Sequence, residues 1–209
     1  MGQEQPNFSP TEANQLASRS ADTKQALIDA ARELFVENGY FQTGTEEIVR
    51  AAGVTRGALY HHFSDKKALF LAVFEAIEEE LIGSSAQLTT NTDSFTRLQE
   101  AMLGFLDASL TPEVQRVLLI DGPAVLGWQE WRALEAKYGL GVIQELLKDA
   151  IEQGVIPPQP VTALAHILLA AVDEAALYIA NSPDPIAARD VSASAMQAVT
   201  AGLTGKSPE

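Results

Sequence analysis

The chain has 209 residues, enough for one large domain or two small ones, and its composition, 46% hydrophobic and 20% charged, is that of a globular protein. The absence of cysteine excludes disulfides, thiolate nucleophiles and Cys-ligated metals. A net charge of −14 argues against nucleic acid for the chain taken whole, yet residues 19–75 hold seven basic and eight acidic residues, half of all the Lys and Arg, so the acidity lies in the remainder.

The N-terminal stretch MGQEQPNFSPTEANQLASRS lacks a basic start and an apolar core, which argues against a signal peptide, and residues 1–20 read as a polar, mobile tail. Leu27, Ile28, Ala31, Leu34 and Phe35 then recur at helical period, and Asn38-Gly39 stops that helix. A second helix is expected from Thr43 or Gly44 to Ala52, with Glu46 and Glu47 placed as in a capping box. Gly53 makes the turn, and Thr55 caps a third helix from Arg56 to about Phe63. Ser64 or Asp65 opens a long fourth helix from Lys66 to about Gln87.

After the polar loop LTTNTDS (88–94), a helix is expected from about Phe95 to Leu110, and Thr111-Pro112 opens the next. Asp121-Gly122-Pro123 is expected to break or kink it, with Asp121 as a terminating residue. A long helix follows from about Trp128 to Gln153, weakened at Gly139 and Gly141, and GVIPPQP (154–160) ends it. The segment from Val161 to Asn181 is apolar nearly all round, which suits one half of a helix–helix interface between subunits. SPDP (182–185) separates it from a last helix, about Ala187 to Leu203. No strand pattern, internal repeat or uninterrupted apolar run of about 18–20 residues is present, so an all-α, non-membrane, cytoplasmic protein is expected.

The informative stretch is TGTEEIVRAAGVTRGALYHHFSDKKALF (43–70). Two short helices joined by a glycine turn make a helix-turn-helix unit, with Ile48, Ala52, Val54, Leu59 and Phe63 facing inward. Gly57 and His61 lie opposite that face, Tyr60 flanks it, and Thr55 and Arg56 lead from the N-terminal end, where such a helix enters the major groove. Arg56 suits a guanine edge, Thr55 and Lys66 suit phosphates, and Gly57 permits close backbone approach. The adjacent His61 and His62 point about 100° apart and have no carboxylate at ligand spacing, so no metal site is expected. His62 reads as a packing residue.

The run AAGVTRGALYHHFSDKKALF, with ALIDAARELFVENGYFQTGTEEIVR before it, resembles the signature of the TetR family of bacterial regulators over about residues 23–75. The resemblance implies an N-terminal three-helix DNA-binding domain (21–66) and a helical ligand-binding and dimerisation domain (67–209). It further implies a homodimer joined by its last two helices (near 161–181 and 187–203), an operator that is an inverted repeat, and release by a small-molecule effector. By position, Thr45, Glu46, Thr55, Arg56, Gly57, Tyr60, His61 and Lys66 match the family's DNA-contacting places. Gly44 departs from the family's usual Ser or Thr, and Glu46 puts an acid where DNA is often faced.

In the second half, Phe95, Met102, Phe105, Leu106, Trp128, Trp131 and Tyr138 are candidates for either a pocket lining or ordinary core. His166 and Asp173 share one side of an apolar helix at i, i+7. A buried carboxylate there needs a partner: a cationic ligand, His166, or a group across the subunit interface. No G-x-S-x-G, Walker loop, dinucleotide fingerprint or metal-ligand cluster occurs, so neither an enzyme nor a cofactor is expected. A ligand-responsive repressor, a regulator without a small effector and an activator all remain open.

Overall fold

The structure is a computed structural model, and it describes residues 10–85 and 93–205. Among them there is no strand, and ten α-helices account for most of the residues. The chain divides into two compact units, Met1–Val73 and Phe74–Glu209. The first unit holds α1 (Pro10–Asn38), α2 (Thr45–Ala51), α3 (Arg56–His62) and the start of α4 (Lys66–Ser85). The second holds the rest of α4, α5 (Ser94–Ala108), α6 (Gly122–Leu126), α7 (Trp128–Glu135), α8 (Gly141–Glu152), α9 (Val161–Ala180) and α10 (Pro185–Ala201). Sequence reasoning put the division between residues 66 and 67. It falls later because Leu69, Phe70 and Val73, the first apolar turns of α4, are wholly buried, and Phe70 sits edge-on to Phe35 and Tyr40.

In the first unit the apolar stripe of α1 is the core: Leu27, Ala31 and Phe35 are fully buried, α1 packs on α2 and α3, and Ile48, Leu59 and, just past α3, Phe63 are buried with them. Gly39 closes α1, its N–H donating to the Phe35 carbonyl at 2.9 Å. The helix begins much earlier than expected, at Pro10, so residues 10–20 are helical, while residues 1–9 of the expected tail lie outside the described residues. Pro at the first position, and Glu, Ala, Gln and Leu after it, are good helix-starting and helix-propagating residues.

The expected capping box at α2 does not form. Gly44 is the cap residue and offers no side chain, while the buried Thr43 hydroxyl donates back to the Gly39 carbonyl at 2.8 Å. The turn between α2 and α3 uses Gly53 at φ 66°, a left-handed conformation costly for other residues. Thr55 does cap α3, its Oγ1 accepting from the Ala58 N–H at 3.2 Å. Asp65 caps α4 in the same way, accepting from the Ala68 N–H at 2.8 Å. The expected end of α4 near Gln87 lies outside the described residues.

In the second unit α5, α8, α9 and α10 pack on one another. The expected break at Asp121-Gly122-Pro123 is corrected: helix continues through it as a wide, π-type stretch, Val114–Asp121, running into α6. Pro123 has no N–H to give the carbonyl of Leu118 or Leu119, and the indole N–H of Trp131 donates to Leu118 at 3.0 Å instead. Asp121 is correspondingly buried and paired with Arg116 (Nε to Oδ2, 3.3 Å) and does not terminate the helix. The helix ends at Gly127, where φ is 87°. A second wide turn, Ala136–Leu140, joins α7 to α8 at the glycine weak points. By length and hydropathy α9 suffices to cross a bilayer, but it packs against α8 and α10 and carries a buried acid.

Candidate DNA-reading surface and ligand cavity

The first unit presents one polar helix face. With Leu59 and Phe63 buried beneath it, α3 leaves Arg56, Gly57, Tyr60 and His61 exposed in a row along its outer side. Arg56 stands 64% exposed and its guanidinium lies 5.6 Å from the Tyr60 ring centre, an arrangement that stiffens a long side chain over an aromatic support. A Cβ added at Gly57 would meet nothing nearer than the Thr55 hydroxyl at 3.8 Å, so the residue leaves an open notch in the surface.

Glu46, from the adjoining helix, pairs with Arg56 at 3.4 Å. That acid lends its charge to an arginine from the neighbouring helix as well as to the dipole of its own. Thr45 is half-buried beside it. Thr55 is exposed, but its oxygen is already engaged as a cap.

Lys66, expected on a phosphate, is engaged within the unit. Its ammonium donates to the carbonyls of Tyr40 at 2.8 Å and Thr43 at 2.9 Å and lies 4.0 Å from the Tyr40 ring centre. Loss of water around it lowers its pKa. The lysine is a strut, tying the start of α4 to the turn that positions α2. His61 and His62 stack edge to face with ring centres 5.1 Å apart, and no group of three metal-ligating side chains occurs among the described residues.

The second unit holds a partly open cavity of about 320 Å³. Of the residues singled out from sequence, Met102, Phe105 and Asp173 line it. The others do not. Leu106 and Trp131 are fully buried in the core around it, and Phe95 is buried but not on its wall. Trp128 is largely exposed against Trp131. Tyr138 is engaged with Lys137 and Glu75, its hydroxyl 3.0 Å and 3.2 Å from them. His166 is exposed: it and Asp173 flank the edge of the buried stripe of α9, and only Asp173 is covered by a neighbour.

That neighbour is Arg132 of α7, none of the three partners expected; its Nη1 donates to Asp173 Oδ2. The cavity also exposes what sequence reasoning missed, two more acids beside this ion pair. Glu78 and Glu135 are 5% and 4% exposed, and Oε1 of each has no hydrogen-bond partner. Burial, reinforced by Asp173, pushes Glu78 up to about 8, and burial with the charge of Glu78 pushes Glu135 well up too. Asp173 rises to about 6 through burial, with Arg132 holding it down. The sequence did carry a signal: Glu78 continues the Phe70–Phe74 series at i+4, and Glu135 follows Trp131 at i+4, each an acid on an apolar stripe.

Comparison with known proteins covers both units. Residues 27–73 match the family described as bacterial regulatory proteins, tetR family, and residues 95–203 match a tetracyclin repressor-like C-terminal domain. The chain is 30% identical over 149 residues to the transposon Tn10 TetC protein of Escherichia coli, spanning 70% of this chain and 74% of that one. It is 29% identical over 168 residues to the HTH-type transcriptional regulator AcrR of Shigella flexneri, spanning 75% and 77%. Among solved structures, a TetR-family transcriptional regulator from Pectobacterium atrosepticum superposes with a TM-score of 0.82 at 33% identity, covering 91% of this chain and 98% of that one. A helix-turn-helix face built from Arg56 to His61, followed by a helical unit that matches the family's own C-terminal domain, places this chain in the TetR family of DNA-binding transcriptional regulators.

Proposed function

We propose that the protein is a cytoplasmic, homodimeric repressor that leaves its operator when a small molecule enters the second unit. The cavity of about 320 Å³ carries this reading, because a domain with only a structural role would fill that volume with side chains. Arg56 reads a base edge, and Tyr60, His61 and Thr45 approach the backbone around it, with Gly57 allowing close contact. Two such faces, related by a two-fold axis, sit in major grooves about 34–36 Å apart and require an inverted repeat.

The dimer contact is supported by large apolar side chains that α9 and α10 leave exposed: Ile167 and Tyr178 on the first, Ile186, Val191 and Val199 on the second. They lie on the two helices whose pairing the family layout implies, and covering them against a second copy removes a patch that water disfavours. A ligand acts by stabilising the arrangement of the two heads that cannot span both grooves, and its effect equals its differential affinity for the two arrangements.

Fluorescence anisotropy on DNA from upstream of the protein's own gene, against a scrambled duplex at two salt concentrations, tests the reading. A preference of about 10³-fold or more with steep salt dependence is expected. Equal, weak binding to both duplexes, with no site enriched from a random-sequence duplex pool, overturns the reading.

A further inference from the structure

The walls of the cavity carry charge as well as apolar side chains. Five carboxylates line it, from Glu78, Glu135, Asp173, Glu145 and Asp149, against one guanidinium, Arg97. Glu145 and Asp149 are exposed, while Glu78, Glu135 and Asp173 lie deep. Arg132 is paired with Asp173, and its charge reaches Glu135 only weakly beside the burial that raises that acid. Glu78 and Glu135 therefore remain, each more than nine-tenths buried, each with an oxygen that nothing in the protein satisfies, and both on the cavity wall. Two acids in this position stay neutral by holding protons, or ionise when a cation arrives.

We propose that the cavity takes an amphipathic organic cation, an ammonium or amidinium head on an apolar body, with the head against Glu78 and Glu135 and the body along Leu81, Met102, Phe105 and Ile143. This inference rests on the reading of the second unit as ligand-sensing, and adds the charge and shape of what is sensed. A bare metal ion does not fit, because no group of three ligating side chains capable of holding one occurs among the described residues. An anion would meet the exposed carboxylates of Glu145 and Asp149, and the charge of Glu78 and Glu135 wherever these ionise, and is repelled. A neutral apolar molecule would leave the two buried oxygens without partners. A cation satisfies them and displaces their protons, so its binding is coupled to proton release; with Glu78 near 8, affinity rises with pH from 6 to 8.

The test uses the full chain and three series of probes that share an alkyl chain and differ in the head: hexyl-, octyl- and decylammonium, the corresponding alcohols, and the corresponding carboxylates. Affinities are measured by titration calorimetry in two buffers of different ionisation enthalpy. The ammonium series is expected to bind at least about tenfold more tightly than the alcohols at equal length, with protons released and affinity higher at pH 8 than at pH 6. The double variant Glu78→Gln, Glu135→Gln should lose that preference and the proton release while keeping its affinity for the alcohols. Alcohols or carboxylates binding as well as the ammonium ions overturns the cation assignment and leaves the ligand-sensing reading standing. No binding by any series at any length overturns both. A preference that survives in the double variant shows that the charge is read elsewhere. If that variant does not fold, the proton count of the unaltered protein near pH 8 decides the matter, since that lies above the range of Asp173 and a cation bound away from Glu78 and Glu135 releases none there.

Discussion

Arg56 illustrates how one side chain serves two states. In the free protein its charge is partly spent on Glu46, 3.4 Å away and well exposed, and a phosphate or guanine must compete with that carboxylate. Glu46→Gln is expected to tighten binding to every duplex and steepen its salt dependence, whereas Arg56→Ala should cost about 1–3 kcal/mol and relax preference at a single base pair. Anisotropy titrations on operator and point-substituted duplexes check both; an Arg56→Ala protein with unchanged base preference would mean that another side chain is the reader. Lys66 behaves differently, since its two carbonyl contacts hold the turn before α2. Lys66→Met is expected to destabilise the protein by about 1–3 kcal/mol in urea unfolding, with any loss of DNA binding following from that loss. From sequence, the positions of Arg56, Tyr60 and His61 were legible because a seven-residue helix has few ways to bury Leu59 and Phe63. The engagement of Lys66 was not, because its partners are backbone carbonyls 23 and 26 residues away that no side-chain pattern announces.

At the scale of helices, two glycines within helical stretches have opposite roles. A Cβ at Gly122 would fall 3.1 Å from both Phe74 and Trp131 and 3.2 Å from the Val117 carbonyl, all packed or backbone atoms. Gly122→Ala should therefore cost about 1–3 kcal/mol. At Gly139 the nearest obstacle, at 2.9 Å, is the flexible end of Leu169, and alanine gains about 1 kcal/mol of helix propensity, so Gly139→Ala is expected to be close to neutral. Thermal unfolding of the two variants side by side separates them. Helix existence and order were readable throughout, because the apolar period and the caps at Thr55 and Asp65 agree with one another. The continuity of helix through Asp121-Gly122-Pro123 was not, because it depends on Trp131 supplying a donor from the next helix. The early start of α1 was missed for a simpler reason: a polar segment without an apolar stripe resembles a tail whether or not it is helical.

For the whole molecule, the buried acids set the response to pH. Glu78 and Glu135 have pKa values raised in the folded state, so the folded chain holds protons that the unfolded chain releases. Their contribution is fully present below the ordinary glutamate range and is lost as pH rises toward about 8, the value for Glu78. The melting temperature is therefore expected to fall between pH 5 and pH 8, by up to about 1.4 kcal/mol of stability per proton and pH unit, and the Glu78→Gln, Glu135→Gln protein should show a flatter profile. A melting temperature that climbs across this window would show that these acids are ionised in the folded state.

The wide turn over Ala136–Leu140 can also be counted as length. A helix that uses five residues where four would close a turn contains one residue more than its two flanks need to keep their faces aligned. The segment is a place where the chain can be shortened. Removing Lys137, an exposed residue, should close the turn to ordinary α-helix and leave Glu135 and Ile143 facing the same interior. Removing Lys148 from the middle of α8 would rotate everything after it by about 100° and drive Ala150 and Ile151 out of register. A family that diversifies by gaining and losing single residues would find tolerance at the first position and none at the second, and comparing the soluble yield of the two deletions reads that difference directly.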